Sequence, residues 1–191
     1  MSYSKHRLLL IGASTGGPGL IEKIVTSIQH SFDGSIIIAQ HMDRVSLLSF
    51  AKRLDRINIY TKVYFCEKLI QKIDTNSIYL FNKSAILKQN GQLVLQALKN
   101  YKGIYHPNIN ELFFSAADLK DYDLRAYLLS GIGADGAKGL LAVKKAGFIC
   151  IAQDEQTSIV YGMPKIAKEL NATSKIFSIE EIIRDINVFL A

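Results

Sequence analysis

The sequence predicts an α/β fold: a doubly wound, mostly parallel sheet with helices on both faces and a small antiparallel excursion, forming a single domain. Three observations carry this. Short aliphatic runs alternate along the chain with segments of helical apolar spacing. The runs are apolar throughout, as strands buried on both faces require. One central stretch breaks the alternation with short extended runs around Asn90-Gly91, a hairpin turn signal.

The first run is Leu8-Leu9-Leu10-Ile11, a buried strand by length and composition, and residues 18–25 after it have helical apolar spacing. A second strand over 35–39 leads into Gln40-His41-Met42, a helix is expected over 45–54 and a third strand over 59–65. The antiparallel section takes in 77–80, Leu87 and 93–95. A helix over 109–119 precedes the strand at 126–129, which runs into Ser130-Gly131-Ile132-Gly133-Ala134-Asp135-Gly136. A helix over 137–146 stops at Gly147, where a C-terminal glycine belongs, and a strand over 148–152 and helices over 163–170 and 179–189 complete the pattern.

Composition bounds the function. With 191 residues and 49% hydrophobic content the chain can bury a real core, and nothing in it reads as disorder. No run approaches the roughly 20 apolar residues of a membrane span, and the start lacks the apolar region and cleavage site of a signal peptide, so a cytoplasmic protein without membrane insertion is expected. Cys66 and Cys150, the only cysteines, lie far apart in apolar runs, which favours reduced, buried thiols over a disulfide or a metal site. The net charge of +6 favours acidic partners, but the basic residues are scattered and do not indicate nucleic acid. No cofactor and no metal are expected.

Gly12-Ala13-Ser14-Thr15-Gly16 fits G-x-S-x-G, in which a tight strand-to-helix bend exposes a serine hydroxyl above the carboxyl end of a strand. A dinucleotide loop shares strand, glycines and helix. It fits poorly, because Ser14 stands where the middle glycine must admit pyrophosphate, and the next strand ends in Gln40-His41 where a ribose-binding acid is wanted. The segment from Gly131 to Gly139 lacks the lysine and serine or threonine of a phosphate loop.

Ser14, His41 and Asp135 each follow an aliphatic strand. In a parallel sheet the carboxyl ends share one edge, so the three converge on the crevice where such folds place their ligands. Singly, His41 reads equally well as a polar strand-end residue and Asp135 as a helix N-cap. Together they are expected to act as nucleophile, general base and orienting carboxylate, with backbone N–H groups of Thr15 or of the Ile132 loop as candidate oxyanion donors. The chain order serine, histidine, aspartate differs from chymotrypsin, subtilisin and the α/β-hydrolases.

The chain resembles the catalytic domain of the chemotaxis protein-glutamate methylesterases, the CheB family. The resemblance is carried by Ile11-Gly12-Ala13-Ser14-Thr15-Gly16-Gly17-Pro18, Gln40-His41-Met42, Phe50-Ala51-Lys52-Arg53-Leu54, Leu129-Ser130-Gly131-Ile132-Gly133-Ala134-Asp135-Gly136-Ala137, and Ile151-Ala152-Gln153-Asp154-Glu155 with Gly162-Met163-Pro164. These occur in family order over nearly the whole chain. The resemblance implies that Ser14, His41 and Asp135 are the family's triad. It also implies hydrolysis of glutamate methyl esters on methyl-accepting chemotaxis receptors to carboxylate and methanol, and deamidation of receptor glutamines as a related reaction. The chain departs from the pattern at Ile132, where the family usually has methionine. It departs also at His106-Pro107-Asn108-Ile109-Asn110, in place of Arg-Pro-Ser-x-Asp, and at Phe81-Asn82-Lys83, in place of Ala-Pro-Gly. The family commonly carries an N-terminal receiver domain, whereas here only Met1 to Lys5 precede the first strand. Residues 1–191 are therefore expected to be a methylesterase catalytic domain without a receiver domain, and the nearby methionine favours a standalone enzyme. The rival expectation is a receptor-binding or regulatory module that kept the fold without the chemistry.

Overall fold

A computed structural model describes residues 6–89 and 92–191, so the predicted Asn90-Gly91 turn lies outside the described residues. The strand β1 (His6–Ala13) is followed by α1 (Gly17–Ser27), β2 (Gly34–Gln40), α2 (Arg44–Ile57) and β3 (Lys62–Cys66). The middle of the chain forms β4 (Ile70–Lys72), β5 (Ser77–Phe81), β6 (Ala85–Gln89) and β7 (Leu93–Ala97). After α3 (Ile109–Ala116) come β8 (Tyr122–Leu128), α4 (Ala137–Lys145), β9 (Ile149–Gln153), α5 (Met163–Glu169), β10 (Lys175–Phe177) and α6 (Ile179–Leu190).

Seven strands form one parallel sheet in the order β10-β9-β8-β1-β2-β5-β3, while β4, β7 and β6 form a separate antiparallel sheet with β7 in the middle. The expected fold class is the observed one, but residues 77–80, expected in the antiparallel section, form β5 of the parallel sheet between β2 and β3, where every residue is buried. Strand order reverses at β1, which pairs with β2 on one side and β8 on the other, and that reversal opens a crevice at the carboxyl edge.

The pleat sends successive residues of each strand to opposite faces, and the core divides accordingly. Leu9, Ile11, Ile36 and Ile38 pack with α1, α2 and α6. Leu8, Leu10, Ile37 and Ala39 pack with α3, α4 and α5, and the antiparallel sheet joins this second cluster through Leu87, Leu93 and Leu95. Every residue of β2 is buried, which explains why the strand carries no polar alternation. The helices start where the sequence supplies caps. Asp43 accepts from the Val45 and Ser46 N–H groups at α2, Asn108 accepts from Glu111 N–H at α3, and Ser178 forms a reciprocal capping box with Glu181 at α6.

Candidate active site

The hydrogen-bond ladder continues past the ends of the central strands and fixes the backbone there. Leu129 N–H donates to Gly12 O (2.8 Å), Ser14 N–H to Ser130 O (3.0 Å) and His41 N–H to Ala13 O (3.0 Å). Ser14 and His41 thus extend neighbouring strands, and the loop bearing Asp135 follows the third. The expected convergence at the carboxyl edge is observed.

Ser14 Oγ lies 3.2 Å from His41 Nδ1, and His41 Nε2 lies 2.8 Å from Asp135 Oδ2. With Nε2–H donating to the carboxylate, Nδ1 is left as the acceptor for the serine hydroxyl. The ring is turned over relative to chymotrypsin, where Nε2 faces the serine and Nδ1 the aspartate. Ser14 is 7% exposed, and the Asp135 side chain has no exposed surface.

Asp135 does not cap α4, whose N-cap is Gly136 in the left-handed region at φ 86°. Its carboxylate instead receives the N–H groups that begin α3. Oδ2 accepts from Ile109 N–H (2.8 Å) as well as from His41, and Oδ1 accepts from Asn110 N–H (3.0 Å) and Gly136 N–H (2.9 Å). Four donors and the amino end of a helix meet a buried carboxylate there, which fixes its orientation and compensates its desolvation.

Buried amides support the two strand ends. Gln40 Nε2 donates to Ser14 O and to His41 O (both 3.0 Å), tying the turn after β1 to the end of β2. Gln153 Oε1 accepts from Ser130 N–H (2.9 Å), and Ser130 Oγ donates to Thr15 O (2.7 Å) while accepting from Val160 N–H (2.9 Å). Tyr105 lies flat on the imidazole of His41, with ring centroids 4.9 Å apart and planes 2° from parallel. The quoted motifs contain Gln40, Ser130 and Gln153, but only position could have marked them, as amide or hydroxyl groups at the ends of aliphatic strands. Tyr105 lies in an irregular segment and carries no sequence signal.

The two oxyanion candidates share a local geometry. The carbonyl of Ser14 is held by Gly17 N–H (2.8 Å) and Gln40 Nε2, and that of Gly131 by Gly162 N–H (3.1 Å) and Met163 N–H (2.8 Å). A trans peptide directs its N–H opposite to its C=O, so Thr15 N–H and Ile132 N–H point away from those donors, and neither makes a hydrogen bond among the described residues. Ile132 exposes 67% of its surface at the rim. Among the described residues no group of three or more His, Cys, Asp and Glu is placed to hold a metal ion, and no helix is long and apolar enough to cross a membrane.

A doubly wound α/β sheet with a hydroxyl, an imidazole and a carboxylate in hydrogen-bonded line at its switch point defines the class of serine-hydrolase-like α/β proteins. Comparison with known proteins narrows the class. The chain belongs to the CheB methylesterase family, whose model matches residues 9–186. It is 34% identical over 187 residues to the protein-glutamate methylesterase/protein-glutamine glutaminase 1 of Carboxydothermus hydrogenoformans, covering 95% of this chain and 54% of that protein. It is also 34% identical over 179 residues to the Pseudomonas fluorescens protein of the same name, covering 94% and 53%. The chain therefore spans about half the length of the curated relatives it matches. The crystal structure of the Thermotoga maritima CheB methylesterase catalytic domain superimposes with a TM-score of 0.85 at 28% identity, over 97% of this chain and 98% of that one.

Proposed function

We propose that residues 1–191 are a methylesterase catalytic domain that hydrolyses γ-methyl esters of glutamyl side chains on cytoplasmic segments of chemotaxis receptors. We propose that the same site deamidates receptor glutamines. The observation that carries this reading is the unbroken line from Ser14 through His41 to Asp135. That line supports an enzyme over a binding module that merely kept the fold. The names of the similar proteins supply the substrate class.

In the proposed reaction Ser14 Oγ attacks the ester carbonyl carbon as His41 Nδ1 takes the hydroxyl proton, and Asp135 stabilises the imidazolium through Nε2–H. The carbonyl oxygen becomes an oxyanion facing Thr15 N–H and Ile132 N–H, donors preset by the pinned carbonyls behind them. Collapse breaks the ester C–O bond, and the departing methoxide takes the proton from Nδ1 and leaves as methanol. Water then attacks the acyl-serine with His41 as base, which releases the glutamyl carboxylate and restores Ser14. An amide follows the same path and releases ammonia. The donors are backbone groups, so isoleucine in place of methionine at position 132 leaves them intact and changes only the rim.

Methanol release from methylated receptor membranes tests the proposal. Ser14→Ala is expected to lower turnover by several orders of magnitude, on the order of 10⁴ to 10⁶. Equal rates for the two proteins reject Ser14 as the nucleophile.

A further inference from the structure

A cavity of about 420 Å³ opens beside the active site, and Leu69, Lys83, Ser84, Lys99, Tyr101 and His106 are among the residues lining it. None of the triad residues lines it, but the segment carrying Tyr105 and His106 reaches both places. Tyr105 stacks on His41, and the next residue, His106, faces the cavity. Ser84 Oγ ties this wall down by donating to Tyr105 O (3.2 Å) and accepting from Asn108 N–H (3.0 Å).

The charge of the cavity is one-sided. Lys83, Lys99 and His106 are exposed, no carboxylate lines the space, and Lys83 borders an adjoining smaller pocket together with Lys68. Glu67, the neighbour of Lys68 in the chain, is engaged by Arg44, whereas Lys83 and Lys99 form no ion pair among the described residues. Two ammonium groups without an ion pair among the described residues, an imidazole and a tyrosine line the cavity, a set of groups suited to an anion. Lysine suits an anion on a mobile side chain, because it acts as a point charge on a flexible stem and imposes no fixed fork geometry.

We propose that this cavity is a carboxylate subsite: it receives an acidic side chain of the polypeptide substrate near the ester attacked by Ser14, and Lys83 and Lys99 supply the charge. The inference rests on the esterase reading for its substrate class and adds a specificity element to it. The net charge of +6 acts in the same direction by drawing acidic segments to the protein before they dock. Lys83 stands where the resemblance places a glycine, and His106 stands where it places an arginine, so that position stays basic.

The test uses two helical peptides, each with a single glutamyl methyl ester, flanked by glutamates in one and by glutamines in the other. Binding to Ser14→Ala is read by fluorescence anisotropy, so hydrolysis plays no part in the result. The glutamate peptide is expected to bind roughly five- to tenfold tighter at low salt, and that advantage is expected to fade as salt is raised. In Ser14→Ala/Lys83→Gln/Lys99→Gln the preference falls to within about twofold with an unchanged melting temperature. Failure to prefer the glutamate peptide, including no measurable binding of either, overturns the subsite, as does a preference that survives both lysine replacements. Methanol release from the glutamine peptide by the wild-type protein reports on the esterase reading separately.

Discussion

Asp135 has two oxygens and four N–H donors, and that imbalance makes its replacement by asparagine informative. An amide turned either way sets its NH2 against two donors: against Asn110 and Gly136 at the Oδ1 position, or against Ile109 and the imidazole at the Oδ2 position. Asp135→Asn is therefore expected to destabilise the fold by about 1–3 kcal/mol. It is also expected to lower kcat on the order of 10⁴-fold, because His41 loses the partner that fixes its tautomer. Chemical denaturation and ester turnover measure the two effects, and turnover near the wild-type level would remove Asp135 from the proton path. The identity of the three converging residues was legible because each follows an aliphatic strand of the same sheet. The turned-over imidazole, the Tyr105 stack and the use of Asp135 by α3 were not, because all three depend on contacts between segments far apart in sequence.

Among the elements, legibility followed burial. The strands β1, β2, β8 and β9 show as aliphatic runs because both their faces are covered. The three-residue strands β4 and β10 went unpredicted: Ile-Gln-Lys and Lys-Ile-Phe are largely exposed, too short to show a period, and are extended only by pairing with β7 and β9. The strand expected over 59–65 begins at Lys62, because Asn58 Oδ1 accepts from Tyr60 N–H (2.9 Å) and Thr61 N–H (3.2 Å) and holds those residues in a turn. The loop between β8 and α4 packs tightly against the turn between β1 and α1. A Cβ built at Gly131 would lie 2.7 Å from the Cβ of Ser14 and would also press on Met163. Met163 is flexible and can yield, whereas Ser14 is pinned through both its N–H and its C=O. Gly131→Ala is thus expected to displace the serine, lowering kcat roughly 10- to 100-fold for a stability loss of about 1–3 kcal/mol. Parallel measurement of melting temperature and kcat decides the matter, and an unimpaired kcat would show that the turn gives way as a unit.

At the scale of the whole molecule, the division of the core by the sheet leaves ionisable groups with little access to water. Cys66 is 6% exposed and Cys150 has no exposed surface, and burial pushes both thiols up to about 12 from 9.0. Burial, together with a 2.6 Å hydrogen bond to Asp185 of α6, also raises the Tyr127 phenol. The native thiols therefore stay protonated at pH 8, and slow alkylation by iodoacetamide is expected until the fold is opened. The linkage has a definite sign. Above pH 9 the unfolded chain releases thiol protons that the folded chain keeps, so the unfolded state binds fewer protons and stability falls as pH rises from 9 toward about 12. Both thiols act in the same direction across that window, so their contributions to the decline add. Urea midpoints taken between pH 8 and 10.5 are expected to decline, and Cys66→Ala/Cys150→Ala to decline less steeply from a lower start. Equal slopes in the two proteins would place the alkaline sensitivity elsewhere, with the Tyr127–Asp185 contact between sheet and α6 as the next site to test.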